Sequence, residues 1–84
     1  MQHDSHPQII KQLKQAQGQL ASVLAMFGDG RPCVDLAQQL QAVESVVRNA
    51  KHTLIHEHLE HCIGEGGMTG DEALRELRAL AKYF

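Results

Sequence analysis

Aromatic residues are scarce in this 84-residue chain: they make up 4% of it, and tryptophan is absent. A core without aromatics must be assembled from Leu, Ile, Val and Ala, a palette that suits helices. Proline occurs only at Pro7 and Pro32, so long stretches carry no helix breaker. No apolar run approaches the ~18 residues of a membrane span. The opening MQHDSHPQ has neither the basic nor the apolar region of a signal peptide. These two absences lead us to expect a soluble, cytoplasmic protein with no membrane partner. Positive charge is not in excess, with 8 Lys and Arg against 10 Asp and Glu, so a basic surface would have to come from uneven distribution. There is no Gly-rich phosphate loop and no nucleophile, base and carboxylate set, and a chain this small has little room for a deep pocket. Catalysis is not expected.

What is present is helical periodicity. Ser5 and Gln8 fit a capping box, and Pro7 suits a first helical turn. Ile9, Ile10, Leu13, Ala16, Leu20, Val23, Leu24 and Phe27 then recur at three- and four-residue steps, the period of one buried helical face, until Gly28-Asp29-Gly30 ends the run. From about Pro32 the period resumes through Leu36, Leu40, Val43, Val47, Ala50, Leu54, Ile55, Leu59 and Cys62. This predicts a central helix of about 30 residues, roughly 45 Å long at ~1.5 Å per residue. A single small domain has no need of so long a helix, and such seams usually pair with another chain. Gly64, Gly66, Gly67 and Gly70 form a connector. Thr69 and Glu72 then offer a cap for a third helix carrying Leu74, Leu77, Leu80, Ala81 and Phe84. The chain therefore reads as one all-α domain over 1–84, a three-helix protomer with residues 1–5 expected to be disordered.

Two cysteines and six histidines carry the chemistry. His58 and Cys62, four apart on the central helix, project from one face and could grip one ion, although a buried cysteine is also often just a small apolar residue. Cys33 falls on nearly the same face but ~37 Å from His58 along a straight helix. Two copies packed antiparallel about a two-fold axis near Val46 and Val47 would set Cys33 of one chain beside His58 and Cys62 of the other. Two thiolates and an imidazole favour Cu(I); a fourth ligand, for which His3 and His6 are candidates, would open the site to Zn(II), Ni(II) or Co(II). His52, His56 and His61 point to the flanks and read as solvated. His52 and His56 are also four apart, but no thiolate joins them.

The stretch CVDLAQQLQAVESVVRNAKHTLIHEHLEHC, from Cys33 to Cys62, resembles the core of the CsoR/RcnR family of bacterial metal-sensing transcriptional repressors. The preceding HPQIIKQLKQAQGQL is similar to that family's first helix. The resemblance implies an antiparallel dimer with metal ligands from both subunits, dimers pairing into a homotetramer, and repression of a metal efflux or homeostasis operon that metal relieves. It matches Cys33, His58 and Cys62 to the ligands of the copper branch. The nickel and cobalt branch often has histidine at the position of Cys62 and adds an N-terminal histidine, which His3 or His6 resembles loosely in register.

Two departures from the family pattern stand out. Copper sensors often carry a tyrosine before the first cysteine, linked to a glutamate of the third helix in a network behind the ligands. Here Pro32 replaces the tyrosine, while Glu76 matches the glutamate, so the relay is only half present. A family run such as KRLKRAEGQ reads KQLKQAQGQ here, with Gln12 and Gln15 in place of arginine. Lys11, Lys14, Arg48 and Lys51 remain as candidate contacts to double-stranded operator DNA, and fewer phosphate contacts mean weaker binding. The leading expectation is a Cu(I)-responsive repressor. Its alternatives are a Ni(II) or Co(II) sensor, a metal buffer with weakened DNA binding, and a thiol redox or sulfur-species sensor built on the two cysteines.

Overall fold

The computed structural model describes residues 6–61 and 69–84, and among them it contains three α-helices and no strand. Helix α1 spans His6–Gly28, α2 Cys33–Leu59 and α3 Gly70–Ala81. Pro7 lies in the first turn of α1, where a missing N–H forfeits no helical bond. Gly30, at φ 67°, takes the left-handed conformation that turns the chain toward α2. Pro32 then enters α2 extended, at φ −61° and ψ 149°, without a side-chain cap. The expected Ser5–Gln8 capping box and the expected disorder of residues 1–5 lie outside the described residues.

The central helix is 27 residues long, shorter than the periodicity predicted. It closes at Leu59, and Glu60 and His61 follow as a wider, π-type turn. Apolar spacing reports which residues share a face but carries no mark of this change of pitch. Cys62, the predicted last member of the seam, lies outside the described residues.

Residues α1 buries are Ile9, Ala16 and Val23, and α2 answers with Leu36, Val43 and Ala50, each series spaced by seven. In an antiparallel hairpin these stand symmetrically about the 29–32 turn, giving the layers Val23 with Leu36, Ala16 with Val43, and Ile9 with Ala50. A seven-residue repeat is the signature of coiled-coil packing, and an alanine in two of the three layers lets the helices approach closely. The predicted single face of α1 is therefore split. Ile10, Leu13, Leu20, Leu24 and Phe27 are 44–72% exposed, while their neighbours in the pattern are buried.

Thr69 Oγ1 accepts a hydrogen bond from Glu72 N at 3.2 Å and so caps α3 as expected. Asp71 and Glu72 in the first turn and Arg78 in the last complement the helix dipole. α3 packs against the end of α2 and buries no residue fully. The molecule measures 55 × 24 × 13 Å, with a radius of gyration of 17.2 Å. A compact chain of this length would have a radius near ~12 Å. Its accessible surface is 6207 Å², against about 5,000 Å² expected for a folded monomer of its mass.

Candidate metal centre

Apart from Val34 at the start of the helix, the exposed large apolar residues of α2 form one series. Leu40, Val47 and Leu54 are 42–44% exposed and follow one another at sevens. The same series begins at Cys33, the exposed first residue of the helix, and reaches His61 beyond its end. The hairpin core occupies the neighbouring stripe of Leu36, Val43 and Ala50, so α2 carries two parallel apolar seams. α1 fills one of them. The other faces outward.

His58 lies near the C-terminal end of α2, half-buried, on the side that meets α3. Its Nε2 is 2.6 Å from Glu76 Oε1, with the two side chains 30% and 35% exposed. Glu76 thus reaches a candidate ligand directly, bridging helices through a contact between residues 18 apart in sequence. A carboxylate on one imidazole nitrogen fixes the ring's orientation and tautomer. The exposed cap at Thr69 serves this contact, because it sets the start of the short helix on which Glu76 is carried.

Within one chain Cys33 and His58 stay apart, at opposite ends of α2 and ~37 Å from each other by helical rise. Among the described residues no three His, Cys, Asp or Glu side chains group to hold an ion. Cys62 and His3 fall outside the described residues. His6 opens α1 and is half-buried. The hairpin places this start of α1 toward the end of α2 that carries His58. Around that end carboxylates and histidines alternate, with His56 Nε2 at 2.9 Å from Glu60 Oε1 and His61 Nε2 at 3.9 Å from Glu57 Oε1.

The predicted DNA contacts are all exposed. Lys11 and Lys14 lie on the outward side of α1. Arg48 and Lys51 occupy α2 at about the same height along the hairpin, so a single chain presents two separate basic pairs. Arg48 Nη2 is held by Glu44 Oε1 at 2.7 Å, a neutralising neighbour one helical turn before it. The two glutamines that depart from the family run differ in kind. Gln15 is exposed, whereas Gln12 is half-buried, its Oε1 shielded from solvent and without a hydrogen-bond partner, as is that of Gln19 one heptad later.

A family model described as metal-sensitive transcriptional repressor matches residues 5–83. The chain belongs to this family. Its relatives include the copper-sensing transcriptional repressor CsoR of Bacillus subtilis, 33% identical over 79 residues that cover 92% of this chain and 78% of that protein. The copper-sensing transcriptional repressor RicR of Mycobacterium tuberculosis is 34% identical over 73 residues, covering 82% of this chain and 76% of that protein. CsoR of Mycobacterium ulcerans is 33% identical over 76 residues, covering 88% of this chain and 65% of that protein. The chain matches no solved structure. These repressors are not enzymes, in agreement with the missing catalytic set. Among the described residues no helix is long and apolar enough to cross a membrane.

Proposed function

We propose that the protein is a Cu(I)-responsive repressor of a metal efflux or homeostasis operon, working as an antiparallel dimer that pairs into a tetramer. The observation that carries this reading is the outward seam from Cys33 through Leu40, Val47 and Leu54. Apolar side chains at heptad spacing on an already folded hairpin call for a second helix. A copy of α2 laid antiparallel about Val47 meets that need and brings Cys33 of each chain to the partner's His58 and Cys62. The surplus surface over a compact monomer is of the size that a specific interface buries. The copper-sensing relatives support the choice of ion.

The donor set fits Cu(I), since two thiolates and one imidazole form a soft, low-coordinate site. Bound there, the ion would link one subunit's α2 start to its partner's α2 end. Glu76 holds the His58 ring through Nε2, which directs Nδ1 toward the ligand position and ties the site to α3. Repositioning of His58 is thereby felt in α3, and the basic pairs Lys11 with Lys14 and Arg48 with Lys51, carried on the same rigid hairpins, move with it. Repression is relieved if the metal-bound arrangement grips the operator less tightly. A coupling of about 1–3 kcal/mol, or roughly 5–150-fold in affinity, is typical of such linkage.

A second reading, a Ni(II) or Co(II) sensor, draws on the start of α1 lying toward the His58 end, from which His3 or His6 could supply a fourth ligand. The deciding experiment is anaerobic fluorescence anisotropy of the protein's own promoter DNA with each ion in turn. Cu(I) is expected to weaken DNA binding within the range above. Release by Ni(II) or Co(II) alone would favour the second reading. Metal uptake without DNA affinity at low salt would indicate a buffer, and a response that survives His58→Ala but not Cys33→Ala would indicate a thiol sensor.

A further inference from the structure

Beside the outward seam, α2 carries both signs of charge at one heptad position. Glu44 and Lys51 are seven residues apart and both exposed. At ~100° per residue they stand ~50° round the helix from Val47, on the side opposite Val43 and Ala50 of the hairpin core. With Val47 and Arg48 they line a shallow depression of about 410 Å³. Glu44 is bridged to Arg48 at 2.7 Å, but the two side chains are 67% and 54% exposed, and a pair so open to water holds weakly. Lys51 has no carboxylate partner among the described residues.

In the antiparallel dimer about Val47, on which this inference rests, each flank of α2 meets the same flank of its partner. Measured along the helix at ~1.5 Å per residue, Glu44 stands ~4.5 Å from the two-fold axis and the partner's Lys51 ~6 Å from it on the same side, so the two are level within ~1.5 Å. Symmetry repeats the match across the axis. The seam itself does not fix this alignment, because Leu40, Val47 and Leu54 recur at sevens and would mesh equally well after a slip of one heptad. The flanking charges do discriminate. A slip in one direction sets Glu44 against the partner's Glu44, and a slip in the other sets Lys51 against the partner's Lys51.

We propose that Glu44 and the partner's Lys51 form a reciprocal pair of intersubunit ion bridges that selects the one register in which Cys33 meets the partner's His58 and Cys62. The apolar seam supplies the adhesion and the charges choose the alignment, chiefly by penalising the like-charged registers. The choice matters to the metal, since a slip of one heptad would carry the ligands apart by ~10 Å, far beyond the ~2 Å of a metal-ligand bond.

Charge reversal in the full-length protein tests it, with the dimer's dissociation constant measured by sedimentation over a dilution series. Glu44→Lys and Lys51→Glu each set like charges together on both sides of the axis. Each should raise the constant roughly tenfold at low salt and lower Cu(I) uptake with it, while helicity stays that of the wild type. The double variant Glu44→Lys/Lys51→Glu, whose net charge is unchanged, should recover both. Arg48 loses Glu44 in the double variant as in the single one, so recovery cannot come from within one helix. Single variants that dimerise like the wild type, or a double variant no tighter than Glu44→Lys, overturn the proposal. Val47→Glu shows which reading has then failed: a dimer that it breaks keeps the seam and discards the ion bridges, whereas a dimer that it leaves intact discards both.

Discussion

Glu76 reaches His58 Nε2 at 2.6 Å, and through this contact it orients a proposed ligand. Glu76→Gln keeps the shape and removes the charge, so the ring loses its fixed tautomer and orientation. Cu(I) affinity measured by competition with a chelator should fall about 10–100-fold, the usual range for an outer-shell partner. Helicity should not change, because both side chains are about one-third exposed and the pair contributes little to stability. A Glu76→Gln protein with unaltered affinity would mean that the contact is incidental to metal binding. Pro32 makes this test pointed: with no tyrosine before Cys33, the carboxylate is the part of the expected relay that remains.

Among the elements, α3 is the least secured, with 12 residues and none fully buried. Its N-terminal bond from Glu72 N to Thr69 Oγ1 and the Glu76 contact to His58 are among the interactions that hold it. Thr69→Ala should cost about 1 kcal/mol and speed amide exchange within α3 roughly fivefold while leaving the hairpin amides alone. Equal acceleration throughout the chain would show that α3 unfolds only together with the rest. Thr69 with Glu72 was legible in the sequence because a cap is a local chemical pattern. The His58–Glu76 contact drew only on family likeness, since residues 18 apart leave no periodic trace. The end of α2 at Leu59 was likewise hidden, as a π-type turn keeps the same apolar composition. The widest gap between sequence and structure lies in α1: Ile10, Leu13, Leu20, Leu24 and Phe27 are as apolar as a core and share the helical period of Ile9, Ala16 and Val23, yet stand exposed. Periodicity in one sequence cannot separate a face buried within the chain from one buried between chains.

For the whole molecule, the decisive quantity is how many chains make the functional unit. Two glutamates introduced near the two-fold axis would face each other inside an apolar seam, where an unpaired charge is costly. Val47→Glu should therefore shift the mass seen by sedimentation equilibrium toward the single 9.3 kDa chain and abolish Cu(I) binding with it. The Ala16, Val43 and Ala50 layers should survive, since they lie in the other seam, and the variant should remain helical. A dimer that persists in Val47→Glu would place the interface elsewhere, on the exposed α1 residues Leu24 and Phe27 for example.

The 27-residue length of α2 has a mechanical consequence. In the proposed dimer the two ions are clasps at opposite ends of a rod, far too distant to sense each other's charge across a screening length of about 8 Å. Any communication between them must travel as alignment. A pair of rods pinned at one end can still splay at the other like scissors; pinned at both, they have one remaining posture, so the second clasp closes on a partner the first has already brought into line.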